Sequence, residues 1–358
     1  MVTPPPGAEP LVSIIVNNHN YARFVGCTLD SALAQTYPRI EVIVVDDGST
    51  DSSQEVLETY RDRCRIIHQP NGGQAAAYNS GFAASSGDLV LMLDSDDILA
   101  PTAIERTVDS WHPGLAKIQF RLSAVDAEEQ PLGYDLPNLP MGSGDAGALL
   151  RHYGYYPAPP GSGNVFARAA LQTLMPMPEP EWRNGADGYL IGLAPLFGEV
   201  VSIEEPLGLY RVHGANNSEA GGLSVPKLRR RLRNELDRER AIKRIAGERG
   251  ETIATALSLN IPAHCKARLF SLKLDPAGHP YPEDSSAGLV LSGISAAWRF
   301  PHMRLPKKLA ATLGFPLIAI APRAFFNGDL RFFFLSERRR GFLWQQASFV
   351  GGIAQLFP

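Results

Sequence analysis

The sequence predicts an α/β fold: a mixed, mainly parallel sheet with flanking helices, followed by a mostly helical C-terminal region. Three observations predict it. Short apolar, β-branched runs recur early in the chain, helical patterns separate them, and from about Leu223 the character changes to arginine-rich sequence with leucines at helical spacing. Strands that are apolar on both faces and alternate with helices belong to a parallel sheet covered on both sides.

The elements follow in order. Leu11 to Val16 and Ile40 to Val45 are apolar runs, with Val25, Leu29, Ala32 and Leu33 at helical spacing between them, which predicts strand, helix, strand. A helix is expected over Gln54 to Tyr60, with Ser52 and Glu55 as a capping box. Arg65 to His68 reads as a third strand. Gln74 to Ser85 reads as an alanine-rich helix after the turn Pro70-Asn71-Gly72-Gly73, and Leu89 to Leu93 as a further strand. Pro101 is expected in the first turn of the next helix, where its missing N–H costs nothing. Far downstream, Lys227 to Arg249 places Leu228, Leu232 and Leu236 on one side of an amphipathic helix.

With 358 residues the chain exceeds one ordinary core. The expected organisation is a tail over 1–10, a sheet domain over 11–222 and a helical region over 223–358. Charged residues are 20%, hydrophobic ones 44% and the net charge −3, which suits a folded protein and argues against a nucleic-acid partner. Cys27, Cys64 and Cys265 have neither zinc nor redox spacing, so buried free thiols in a reducing cytoplasm are expected. Met1 to Pro10 has no basic or apolar segment of the kind a secretory signal needs. Leu309 to Ala321 is mostly apolar but falls short of the roughly 20 residues that span a bilayer. Phe325, Phe326, Phe332, Phe333 and Phe334, flanked by Arg323, Arg331 and Arg338 to Arg340, suit a membrane surface, a buried helix pair or a homo-oligomer contact.

The polar clusters share one address. Asn17 to Asn20, Asp46 to Asp47 and Asp94 to Asp97 each follow a predicted strand, and ligands of such sheets bind at the carboxyl ends of the strands. Asp94-Ser95-Asp96-Asp97 brings three carboxylates into four residues. One would suffice to cap the helix ahead; two can hold Mn2+ or Mg2+ while leaving the ion open positions for phosphate oxygens.

Together these stretches resemble the family 2 glycosyltransferases of the GT-A fold. Val12 to Tyr21 is similar to the family's opening strand, Val44-Val45-Asp46-Asp47-Gly48-Ser49-Thr50-Asp51 to its second-strand signature, and Asp94-Ser95-Asp96 to its Asp-x-Asp turn. Asn71-Gly72-Gly73-Gln74, Asn79-Ser80-Gly81 and Gly87-Asp88 extend the likeness, which covers roughly residues 11 to 218. The resemblance implies a nucleotide-sugar donor, with uridine as the expected base. Asn17, His19 and Asp47 would meet the nucleoside with Asp46 in support, and Gly73, Gln74, Asn79, Asp94 and Ser95 would line the donor. Asp94, Asp96 and His213 would hold the metal. Asp187, in Trp182 to Leu190, would act as the base of an inverting displacement, and Pro160 to Asn164 would lie near the acceptor. Two departures stand out: Asn17-Asn18-His19-Asn20 replaces the usual Pro-Thr-Tyr-Asn, and Ala186 stands where Glu is frequent. Asp187 also suits the N-cap of a helix starting near Tyr189, and Arg211 is expected to pair internally.

The expected function is transfer of a sugar to a hydroxyl of a glycan or lipid-linked acceptor in polysaccharide biosynthesis, at the cytoplasmic face of the plasma membrane. A nucleotide-sugar-forming nucleotidyltransferase would open with a glycine-rich basic loop, whereas residues 17–21 contain neither glycine nor lysine. A non-catalytic surface-binding protein on the same scaffold would be expected to have lost at least one of Asp94, Asp96, Asp187 and His213.

Overall fold

The computed structural model describes residues 9–138, 140–213, 224–254, 256–299 and 303–326. The chain folds as two compact units. The first comprises the residues up to Gly147 with Ala158–Val212; the second comprises Ala148–Pro157 with the residues from His213 onward, so a short early strip joins the C-terminal helices.

In the first unit the elements are β1 Val12–Asn18, α1 Ala22–Leu33, β2 Ile40–Asp47, α2 Ser53–Glu58, β3 Arg65–Gln69, α3 Gln74–Ala84, β4 Leu89–Asp94, β5 Ile98–Leu99, α4 Ala103–Asp109, β6 Leu115–Val125 and β7 Pro131–Leu136. Then come α5 Ala146–Tyr153, which runs into the second unit, β8 Asn164–Ala167, α6 Arg168–Leu171, α7 Ala186–Leu193 and β9 Glu199–Arg211. The sheet runs β3-β2-β1-β4-β8-β6-β9-β5, with β7 beside β6. β1 to β4 pair in parallel; β8 joins β4 and β6 antiparallel, making the sheet mixed.

Alternation explains why both faces are apolar. Val12, Ile14 and Val16 share one core with Val25, Leu29 and Ala32 of α1. Ile15 and Val45 meet α3 on the other face, where a Cβ on Gly81 would lie 2.3 Å from Ile15. The alanine-rich sequence of α3 lets that helix approach closely.

Several local expectations change. The Ser52 hydroxyl makes no capping bond at α2; the Asp51 carboxylate accepts from Ser53 N at 3.0 Å instead. Pro101 precedes Thr102, the N-cap of α4, rather than lying inside the helix. α7 begins at Ala186 after Gly185, so Asp187 sits in its first turn and is not its cap. Cys27 is exposed and Cys64 half-buried, leaving Cys265 as the buried thiol.

The second unit adds α8 Val225–Glu248, α9 Pro262–Leu274, α10 Ser286–Arg299 and α11 Leu305–Ile320. Leu228 and Leu232 of α8 pack with Phe270, Leu274, Tyr281 and Phe326. Phe326 meets Phe270 edge-on, their ring centroids 5.5 Å apart, so this member of the aromatic cluster faces inward. The Phe325 side chain and Phe332, Phe333 and Phe334 lie outside the described residues. A polar seam crosses the unit: Arg268 donates to both Asp284 oxygens, at 2.8 and 2.5 Å, and to Ser258 Oγ at 2.8 Å.

Candidate active site

Strand register builds the site. β1 sets Asn17 opposite Asp94 on β4 and Asn18 opposite Asp46 on β2, so three clusters far apart in sequence meet at one sheet edge. With its amide nitrogen turned toward them, Asn17 stands 3.2 Å from the Asp94 carboxylate and from the Leu93 carbonyl.

The acidic turn is braced from three sides. Thr28 Oγ1 of α1 lies 2.9 Å from the Ser95 carbonyl and 2.8 Å from that of Asp97. Ser162 Oγ donates to Asp97 Oδ2 at 2.6 Å and accepts from Asp94 N at 3.1 Å. Arg211, 2% exposed, donates from its backbone to Asp97 Oδ1 at 3.0 Å and from Nε to the Asp96 carbonyl at 2.9 Å. Arg211 thus pairs internally, as expected, and Asp97 is a brace. Ser95 is buried and joins the brace through its carbonyl.

Asp94 is left in an electrostatically costly place. Burial pushes its carboxyl well above the usual range, and the nearby negative charges of Asp96 and Asp187 push it further; hydrogen bonds from Asn17 and Gln74 offset this only in part. A divalent cation would relieve that crowding, and two carboxylates are the hard oxygen donors Mn2+ or Mg2+ prefer. Asp94 and Asp96 therefore fit a metal that takes further ligands from a diphosphate. Among the described residues, no three His, Cys, Asp or Glu side chains form a cage that could hold an ion unaided. His213 follows β9 by two residues and opens the C-terminal segment of the second unit.

Gln74 ties this turn to Asp187. Its Oε1 accepts from Gly185 N at 3.0 Å and Ala186 N at 2.9 Å, satisfying otherwise orphaned donors at the start of α7. Its Nε2 reaches Asp94 Oδ1 at 3.4 Å and Tyr78 Oη at 3.2 Å. Asp187 is raised by burial, with backbone amides of its own turn pulling the other way. Gly161 lies between the two acids: a Cβ there would stand 3.2 Å from Asp94 Oδ2 and 3.6 Å from Asp187 Oδ2. The glycine turn is pinned from below. Asn164 Nδ2 donates to the carbonyls of Pro160, at 2.7 Å, and Gly161, at 3.0 Å, while the wholly buried Lys117 donates to Asn164 Oδ1 at 2.6 Å.

On the far side, Asp46 is fully buried and held by Ser49 at 2.5 Å, Asn18 at 3.0 Å and Gln54 at 3.2 Å. Burial works against its charge, yet these bonds outweigh it and leave the carboxyl below its usual value. Asp47 accepts from Gln69 Nε2 at 2.7 Å, Gly72 N at 2.8 Å and Gly73 N at 2.7 Å, shaping the turn Asn71-Gly72-Gly73 ahead of α3. Gly73 has φ +91 and a Cβ there would strike Arg183 at 2.4 Å, so glycine is required twice over. His19 Nδ1 lies 2.9 Å from the Asp47 carbonyl, with Asn71 3.1 Å from the ring; Asn71 in turn accepts from Arg183. The Asn79 amide bonds Met177 O at 3.0 Å, Glu179 at 3.0 Å and Met177 N at 2.8 Å, fastening α3 to the loop before α7.

The family model described as "Glycosyl transferase family 2" matches residues 13–129. An uncharacterized glycosyltransferase of Nostoc sp. is 35% identical over 212 residues, covering 58% of this chain and 66% of that protein. The uncharacterized glycosyltransferase EpsJ of Bacillus subtilis is 43% identical over 103 residues, covering 28% of this chain and 30% of its own length. The matched stretch thus spans less than two thirds of these curated relatives. Among solved structures, S. aureus TarS 1-349 in complex with UDP is 17% identical with a TM-score of 0.51, covering 96% of this chain and 89% of that 1-349 chain. The mixed sheet and its flanking helices are shared; the fold is GT-A.

Proposed function

Since the chain belongs to glycosyl transferase family 2, we propose that it moves a sugar from a nucleotide-sugar to a hydroxyl of a glycan or lipid-linked acceptor, with inversion. The observation that carries this reading is the facing of Asp94 and Asp187 across Gly161, with Gln74 bonded to both sides of the gap. One acid belongs to a cation-ready pair, the other stands alone beside it.

Asp187 accepts the proton of the acceptor hydroxyl. The freed oxygen pair bonds the anomeric carbon as that carbon's bond to the diphosphate breaks, and the departing pair leaves on the diphosphate oxygen. Burial raises the proton affinity of Asp187, which suits a base. Mn2+ or Mg2+ held by Asp94 and Asp96 would neutralise charge on the leaving diphosphate, whose oxygens would supply its further ligands. Ser95 and Gln74 shape the donor cradle, and Asn17, His19 and the turn held by Asp47 and Gly73 form the nucleoside corner. Uridine is the base we propose; TarS, which shares the fold, was solved in complex with UDP. We place the reaction in polysaccharide biosynthesis at the cytoplasmic side of a membrane.

A thermal-shift screen of nucleotide-sugars with and without Mn2+ tests this. Stabilisation by one donor, dependent on Mn2+ and lost in Asp96→Ala, is expected. No shift with any nucleotide-sugar would contradict the reading.

A further inference from the structure

The second unit carries an apolar surface that the transfer chemistry does not use. α11 is apolar on two opposite sides. Its inner side, Ala311, Phe315, Ile318 and Ala319, packs with Cys265, Leu269 and Leu289. Gly293 of α10 makes that packing close, since a Cβ there would lie 2.2 Å from the Phe315 ring.

The outer side carries Leu305, Leu309, Leu313, Leu317 and Ile320, which are 58%, 49%, 68%, 60% and 77% exposed. Their spacing of four, four, four and three residues makes one continuous stripe. Leu291 and Trp298 of α10 are also exposed, and Trp298 is tied to α11 by its Nε1 bond to Thr312 Oγ1 at 3.0 Å. A helix with apolar residues on both sides is ordinarily covered on both.

Charge identifies the cover. From Ser285 to Gly328 the sequence contains no Asp or Glu, while it contains Arg299, Arg304, Lys307, Lys308 and Arg323. Arg304 and Lys307 are exposed at the start of α11 and Arg323 just beyond its end. A second copy seated on this face would bring like charges together with no carboxylate in the stretch to meet them. The chain's own residues 327–358 contain four arginines against Asp329 and Glu337, the same sign again. An anionic lipid surface supplies both things the face lacks, hydrocarbon for the stripe and negative charge for its ends.

We infer that the outer face of α10 and α11 docks on anionic lipid, with α11 lying in the headgroup plane. It lies there rather than crossing: 16 residues span about 24 Å at 1.5 Å each, short of a bilayer core of about 30 Å. No helix among the described residues is long and apolar enough to cross a membrane. This inference is independent of the transfer reaction.

Flotation of the full chain with vesicles of phosphatidylcholine, alone or mixed with phosphatidylglycerol, tests it. Binding to the mixed vesicles and little to phosphatidylcholine alone is expected. Leu309→Glu with Leu313→Glu should lower binding roughly tenfold or more, at exposed sites where the fold does not depend on them. Arg304→Gln with Lys307→Gln should lower it roughly fivefold per cation, as should added salt in wild type. Failure of wild type to float with the mixed vesicles overturns the inference, as does unchanged binding by both variants. A dimer in vesicle-free solution that Leu309→Glu with Leu313→Glu splits would assign the face to a second copy and overturn it equally.

Discussion

Gln74 shows how much one side chain can organise. Its carbonyl oxygen holds the start of α7, where Asp187 sits, and its nitrogen reaches Asp94, so losing the amide loosens both acids together. Gln74→Ala is expected to lower kcat by about 10- to 100-fold with a smaller change in KM, measured by steady-state transfer kinetics. Gln74→Glu should be no rescue, since it adds a fourth acid beside Asp94, Asp96 and Asp187. The meeting of the Asn17, Asp46 and Asp94 clusters at one sheet edge was legible from sequence, because each follows a predicted strand; Asp187 was reached through the family resemblance alone. The role of Gln74 was not legible, since its partners at Gly185 and Ala186 are more than a hundred residues away. Asp187 supports a second prediction. Because burial raises its carboxyl above the ordinary 3.8, it loses its charge at a higher pH than an exposed carboxylate would. The acid limb of the kcat/KM profile should therefore lie above the ordinary carboxylate range, and a limb near 3.8 would contradict that role.

At the scale of elements, the strands up to β4 were read to within a residue or two: β1, β2 and β4 are apolar runs largely buried on both faces, and β3, only half-buried, shows as the short β-branched pair Ile66-Ile67. The later strands β6, β8 and β9 were not read. β6 places Lys117, Gln119 and Arg121 at alternate positions, which mimics a half-exposed strand, yet Lys117 and Gln119 are buried beneath Asn164 and Ser202. β8 is four residues long, too short for a periodic signal. In the second unit, α8 and α9 enclose His264, whose Nδ1 faces Glu235 at 3.5 Å. Burial lowers its pKa to about 4; Glu235 opposes the shift, while Arg238, Arg231 and Arg268 reinforce it. A depressed folded pKa means that this contribution to stability is fully present above the ordinary 6.5 and is lost as pH falls from 6.5 toward about 4. Urea unfolding should show stability falling by up to about 1.4 kcal/mol per pH unit in that window, a slope that His264→Gln removes. An equal slope in the variant would assign the effect elsewhere.

For the molecule as a whole, the first unit concentrates acids whose charge the fold opposes. Asp94, Asp97 and Asp187 are all raised, each chiefly by burial. A raised folded carboxyl is most compatible with folding while protonated, so stability falls as pH rises from the ordinary 3.8 through the higher folded value. Mn2+ should offset that loss. Its effect on the melting temperature is expected to be larger at pH 7 than at pH 5, and Asp94→Asn should abolish the difference. An equal Mn2+ shift at both pH values would place the ion elsewhere.

In the proposed reaction Asp187 takes the acceptor proton beside a donor held at Asp94 and Asp96. Release of nucleoside diphosphate, measured with Mn2+, donor and acceptor alongside donor affinity on the same protein, tests it most directly. For Asp187→Asn, donor affinity should stay within about threefold of wild type while turnover falls on the order of 10²- to 10⁴-fold. Turnover by Asp187→Asn at the wild-type rate would contradict it.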